Sequence, residues 1–133
     1  MFQPLNPIKL MLASGCGFVA RVFADVKQVD WILKEAMKHK GFCFIEVLQP
    51  CIIFLDDKGY KEKTYNLQDS GHDKTNLSEA MRLADEFDYS GIKPDTRIPL
   101  GIFYQKEKPI FEDQFSVLQD LTKKKIGFKE IKR

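Results

Sequence analysis

No run in this sequence approaches the roughly 20 consecutive apolar residues that a membrane-crossing helix requires. Charge excess is missing too, with 21 Lys and Arg set against 19 Asp and Glu. The first absence argues against a membrane partner, and the second removes any global signature of a nucleic-acid or membrane-surface binder. Cysteine is scarce: Cys16, Cys43 and Cys51 form no CxxC pair and leave one thiol over in any disulfide scheme. That favours a reducing compartment, hence a cytoplasmic protein. P-loop, HExxH and EF-hand spacings are all absent, as are internal repeats and low-complexity tracts. Leu12-Ala13-Ser14-Gly15-Cys16 has the look of a lipoprotein cleavage site, but no basic segment precedes it and Lys9 interrupts a short apolar stretch.

What is present is the composition of an ordinary globular domain: 133 residues, 44% apolar and 30% charged, enough for one modest core. The segment Phe42 to Cys51, FCFIEVLQPC, is the most informative stretch. It reads as a buried strand that runs through Pro50 and stops on a cysteine, the pattern of a central parallel strand. In open α/β sheets, chemistry gathers just beyond the carboxyl ends of such strands. A thiol placed there is a nucleophile, a metal ligand or a packed small hydrophobe, and the residues alone leave these open. Cys16 and Cys43, beside or within strands, read as inert packing.

The first half is clearly punctuated. Asn6-Pro7 is an N-cap followed by a proline at the first helical position, opening a short helix over Ile8 to Ser14 that Gly15 ends. Phe18 to Phe23, FVARVF, is a strand. Asp25, with Gln28 three residues on, has the spacing of a capping box. Val26, Val29, Ile32, Leu33, Ala36 and Met37 then recur at helical spacing up to Lys38, His39, Lys40 and a terminating Gly41. Helix, strand, helix, strand implies two parallel strands with a right-handed crossover. Two such strands bury too little, so the sheet needs strands that this chain does not supply before Phe2, and the chain reads as beginning inside a domain.

The second half is looser. Residues Asp56 to Lys74 are polar and read as a surface excursion; Asn76 with Glu79 caps a helix through Leu77, Ala80, Met81, Ala84 and Phe87. Ser90 to Arg97 is a loop, Ile98 to Tyr104 an extended segment, and Phe115 to Lys125 an amphipathic helix. The last eleven residues carry six Lys or Arg and one Glu. With few aromatics interleaved, that tail reads as a solvated or partner-binding end rather than a nucleic-acid site.

Other candidate groups favour bland roles. Gly15-Cys16-Gly17 with Ala20 has GxGxxA spacing, but it follows a helix and opens a strand, the reverse of a phosphate loop. His39, at a helix C-terminus, reads as a solvated partner of the helix dipole. His72 sits in a loop without a nucleophile at recognisable spacing. The Asp56-Asp57 pair reads as a solvated turn. Glu46 interrupts the strand before Cys51, and a buried carboxylate needs a partner or a raised pKa; facing the lysines of the neighbouring helix is one way to meet that need.

The motifs in combination carry more than any one of them. NPIKLMLASGCGFVARVF, then a helix, then HKGFCFIEVLQPC resembles the C-terminal part of the β subunit of 2-oxoacid:ferredoxin oxidoreductases, which are thiamine-diphosphate enzymes. The resemblance continues through Tyr60-Lys61-Glu62-Lys63, Gly71-His72-Asp73-Lys74-Thr75 and Ile98 to Tyr104. It implies an α/β chain in which residues 1–55 are the end of a thiamine-diphosphate-binding domain and residues 56–133 a C-terminal extension. By position Cys51 matches the isolated cysteine that is the fourth ligand of a 4Fe–4S cluster beside the cofactor. The implied activity is oxidative decarboxylation of a 2-oxoacid with coenzyme A, electrons passing to ferredoxin, in a complex with an α subunit. Mg²⁺ and thiamine diphosphate belong to the complete enzyme. No residue here matches a catalytic acid, base or nucleophile.

Departures from that pattern are equally specific. The sequence contains no Gly-Asp-Gly element for Mg²⁺ and diphosphate, and neither Cys16 nor Cys43 matches a cluster position. After Cys51, Ile52-Ile53-Phe54-Leu55-Asp56 replaces a Thr-Phe-Asn type continuation. The isolated polypeptide is therefore expected to be inactive. The alternative is a non-catalytic interaction module derived from the same subunit, and genomic context separates the two: a neighbouring frame with the missing cysteines favours a split enzyme.

Overall fold

The computed structural model describes residues 4–49, 57–87, 89–91 and 93–124. Asn6 caps helix α1 (Pro7–Ala13) by accepting from the Lys9 amide at 3.0 Å, and Gly15, at φ +84°, turns the chain into strand β1 (Phe18–Phe23). Asp25 Oδ1 accepts from the amides of Lys27 and Gln28 to open α2 (Val26–Lys38). Gln28 does not close the expected reciprocal box on Asp25. Its Oε1 instead accepts the amide of Phe23, locking the strand end to the helix start. Strand β2 (Cys43–Leu48) follows.

Beyond the segment 50–56 come α3 (Asp57–Lys61), β3 (Thr64–Asn66), α4 (Leu77–Ala84) and β4 (Ile98–Gln105), then a short 3₁₀ turn (Phe111–Gln114) and α5 (Ser116–Lys124). Asn76 caps α4 by accepting from Glu79. Phe87, counted with that helix by periodicity, lies past its end but is still buried.

The four strands form one sheet in the order β2-β1-β4-β3. β1 and β2 are parallel, as the crossover helix requires, and β3 and β4 are parallel; β1 and β4 run antiparallel. The fold is thus α/β with a mixed, mainly parallel sheet. Alternation along β1 sorts its side chains: Phe18, Ala20 and Val22 pack under Ile32 and Ala36 of α2, while Val19 joins Ile8 and Leu12 of α1 and Leu83 of α4 on the other face. Fully burying a residue such as Phe18 or Phe103 stabilises by about 1.5–3 kcal/mol.

Three readings change here. The missing sheet partner of β1 is β4, supplied by the second half of the same chain. The polar stretch from 56 to 74 is more than a surface excursion: its described part holds β3, with the fully buried Leu67 just beyond it. And β2 is an edge strand among the described residues, half-buried along most of its length, with Val47 45% exposed. The apolar run that reads as a central strand therefore reports hydrophobic faces that these residues leave partly uncovered.

β4 joins β1 through a bulge. Ala20 pairs with Ile102 and Val19 with Tyr104, leaving Phe103 as the extra residue. Gly101, at φ +112°, makes room beside it: a Cβ there would stand 2.1 Å from Gln68 Oε1. The Gln68 amide group bonds both the N–H and the C=O of Ile102, standing in for a strand neighbour.

Candidate functional site

The carboxyl ends of β1 and β2 and the start of β4 meet around one buried cation. Arg21 is fully buried, and the strand register sets it directly opposite Glu46. A buried guanidinium is tolerated only when its charge is paired and its donors are used. Here Nε donates to Glu46 Oε2 at 2.6 Å, Nη2 to the Tyr89 hydroxyl at 2.6 Å, and Nη1 to the Pro99 carbonyl at 3.4 Å. The Tyr89 hydroxyl in turn donates to Glu46, at 2.7 Å. Phe87, Tyr89 and Phe103 surround the guanidinium with ring centroids 5.2–5.4 Å away.

Tyr89 adopts φ +60°, uncommon for an aromatic residue, and is held there by its two polar contacts and by ring packing on Phe87 at 4.4 Å. Burial pushes its phenol above the usual value; Arg21 opposes this, and the hydrogen bond to Glu46 adds to it. The partner of Glu46 is thus an arginine on the adjacent strand and not the lysines of α2. No charge of the pair is left over, so the network holds strands rather than binding an anion.

The amino ends of the same two strands form the opposite end of the sheet. There the turn into β1, the turn into β2 and the segment after β4 enclose a cleft of about 660 Å³, whose lining includes Gly15, Gly17, His39, Phe42, Lys108 and Phe111. His39 is buried, not solvated as its place at a helix end suggests, and neither ring nitrogen has a hydrogen-bond partner. Gly17 makes that burial possible: a Cβ would stand 2.9 Å from His39 Nε2 and 3.0 Å from the Lys106 carbonyl. Cys16 and Cys43 lie at this end as well. The Cys16 thiol donates to the carbonyls of Phe18 and Phe42, and that of Cys43 to Ala36 and Gly41. Burial, with a smaller contribution from Cys16, pushes the Cys43 thiol up, away from the thiolate form that ligates metals. Both fit the reading of inert packing.

Cys51 lies outside the described residues, as do Pro50 and Asp56. The structure describes β2 up to Leu48, whose carbonyl accepts the Ala24 amide at 2.8 Å. His72 uses Nε2 on the Phe103 carbonyl at 2.8 Å, which makes that nitrogen the protonated one, a structural tie from loop to strand. Among the described residues no group of three or more His, Cys, Asp or Glu side chains converges to hold a metal ion. The described residues therefore do not by themselves fit a 4Fe–4S cluster or a Mg²⁺ site. No described helix is long and apolar enough to cross a membrane. The network of Arg21, Glu46 and Tyr89 was invisible in sequence; the only signal was a carboxylate and an arginine at corresponding positions of two adjacent strands.

Residues 57–120 match the family described as the C-terminal region of the pyruvate ferredoxin oxidoreductase β subunit. Over 110 residues the chain is 37% identical to the 2-oxoacid:ferredoxin oxidoreductase β subunit of Saccharolobus solfataricus, a match covering 77% of this chain and 36% of that relative. A second such β subunit, from Aeropyrum pernix, is 37% identical over 114 residues, covering 75% of this chain and 34% of the relative. The chain is thus a relative of the 2-oxoacid:ferredoxin oxidoreductase β subunits, and it spans little more than a third of their length. In fold it is similar to a chain of the 2-oxoglutarate:ferredoxin oxidoreductase from Magnetococcus marinus, whose structure holds 2-oxoglutarate, coenzyme A and succinyl-CoA. The TM-score is 0.69 at 23% identity, over 96% of this chain and 42% of that one.

Proposed function

We propose that the chain serves as the C-terminal portion of a 2-oxoacid:ferredoxin oxidoreductase β subunit. In this reading residues 1–55 end the thiamine-diphosphate-binding domain and residues 56–133 form the subunit's extension. The observation that carries it is similarity to β subunits running through 77% of the chain, across both halves of the sheet. The complete enzyme would decarboxylate a 2-oxoacid oxidatively to an acyl-CoA and pass electrons through a 4Fe–4S cluster to ferredoxin. Thiamine diphosphate with Mg²⁺ would supply the carbanion chemistry. The α subunit and the rest of the β subunit would be its partners, in the cytoplasm.

The share of this chain is structural and electronic. It shapes one end of the sheet, and Cys51 is the residue we assign as a cluster ligand, a thiolate distant in sequence from the others. One cysteine holds no cluster, so the polypeptide alone is inactive. Anaerobic reconstitution of the isolated chain, followed by iron analysis and EPR, is expected to give no stoichiometric cluster. In the assembled complex, Cys51→Ser is expected to lower cluster iron, while Cys16→Ser leaves it unchanged. A full cluster in the Cys51→Ser complex would refute the assignment.

A further inference from the structure

Buried polar atoms in native proteins are almost always hydrogen-bonded, so an orphan asks for a reason. His39 is 9% exposed, and both of its ring nitrogens go unpartnered. It stands in the wall of the cleft at the amino ends of β1 and β2. At about 660 Å³ that cleft has the size of a small-molecule site, for which roughly 300–1,000 Å³ is usual. Its walls come from three segments of this chain: the turn into β1, the turn into β2 and the stretch after β4.

The charge around the cleft has one sign. Lys40 and Lys108 line it, and among the described residues no carboxylate does. Lys40 is neutralised at the rim by Asp113, at 2.7 Å. Lys108 instead donates its Nζ to the Gly15 carbonyl at 2.7 Å, and among the described residues no carboxylate pairs with it. An ammonium carries three donors, so that carbonyl leaves the others open to an anion. Apolar surface lies beside this charge, because Phe42 and Phe111, on two of the walls, are each 67% exposed. Ligand sites combine such surface with a few placed polar groups.

We propose that the cleft binds a small organic anion, a carboxylate or phosphate group carried on a flat apolar body. Lys108 takes the anionic oxygens in charge-assisted hydrogen bonds, Phe42 and Phe111 take the body, and the His39 ring gains a polar group on its side of the cleft. In open α/β sheets chemistry gathers at the carboxyl ends of the strands, and this cleft lies at their amino ends. The ligand is therefore an effector and not the molecule that reacts. The site uses neither iron nor thiamine diphosphate, so it stands or falls apart from the Cys51 assignment.

Phenyl phosphate and benzoate carry the two head groups on one ring. Benzylamine has the ring with the opposite charge, and inorganic phosphate the head without the ring. Each is titrated into the chain and followed by amide and imidazole NMR. Phenyl phosphate, benzoate or both are expected to bind saturably at millimolar concentration, shifting Gly15, Gly17, Gly41 and the His39 ring; which of them binds identifies the head group. Benzylamine and inorganic phosphate are expected to bind at least about tenfold more weakly. Lys108→Gln keeps a donor for the Gly15 carbonyl and removes the charge, and Phe42→Ala removes an exposed ring. Each variant is expected to keep the circular dichroism of the parent chain and to weaken binding by about tenfold. Failure of both aromatic anions to bind, equal binding of benzylamine or inorganic phosphate, or binding indifferent to both variants would overturn the proposal. So would loss of binding in the assembled complex, since the cleft would then be a contact between parts of the protein.

Discussion

The two ends of the β1–β2 pair solve opposite problems. The carboxyl end buries a full positive charge and satisfies it, with one carboxylate, one phenol, one carbonyl and three aromatic rings around Arg21. At the amino end lies a buried imidazole ring with no hydrogen-bond partner on either nitrogen, accommodated because Gly17 has no side chain. One end is specified by chemistry, the other by absence of volume. Substitution therefore hurts them in opposite ways: removing a partner breaks the first, and adding an atom breaks the second.

The largest expected effect is at the charged end. Arg21→Met leaves Glu46 nearly buried without its counter-charge and should cost about 3–5 kcal/mol in urea-denaturation stability. A cost below about 1 kcal/mol would mean that the pair does not hold the strands. Gly17→Ala tests the other end: overpacking against His39 and the Lys106 carbonyl should cost about 1–3 kcal/mol by the same measurement. His39→Ala combined with it should recover part of that loss, since the two groups collide with each other. Tyr89→Phe removes only the hydroxyl that bridges Arg21 and Glu46, and should cost about 1–3 kcal/mol, toward the lower end.

The smallest effect sharpens the contrast at the rim of the cleft, where Lys40 holds Asp113 at 2.7 Å. That hydrogen bond lowers the Asp113 carboxyl below its ordinary value of 3.8. A depressed carboxylate contributes stability above the unfolded value and loses it as pH falls through the folded one. Lys40→Ala should therefore leave stability almost unchanged at neutral pH and flatten its fall below pH 3.8. A large loss at pH 7 would show that the exposed pair is a structural tie after all.

Local signals were enough for β1 and for the helix caps. β1 begins and ends at Phe18 and Phe23 as its apolar run indicates, and Asn6, Asp25 and Asn76 cap the helices that their side chains advertise. Caps and alternation involve neighbours in sequence, so they are readable there. The cysteines at 16 and 43 are also where strand reasoning puts them, in packed positions. Burial and pairing were less legible. His39 reads as a solvated helix end because the glycine that shelters it lies 22 residues earlier in the chain. Short β3 escapes notice because three residues, Thr64 to Asn66, show no periodicity until β4 pairs with them.

The order of helices and strands in the first half, the parallel sense of β1 and β2, and the kinship with 2-oxoacid:ferredoxin oxidoreductase β subunits are all written in the sequence. They depend on local backbone preferences, crossover handedness and motif identity. Folding in three dimensions was needed to place β4 antiparallel beside β1, to leave β2 at the edge, and to join Arg21, Glu46 and Tyr89 in one neutral network. Those facts link residues up to 78 positions apart, as the Arg21 bond to Pro99 does. Their energy comes from removing apolar surface from water and from pairing the charges buried with it, across the whole chain, which no local pattern records.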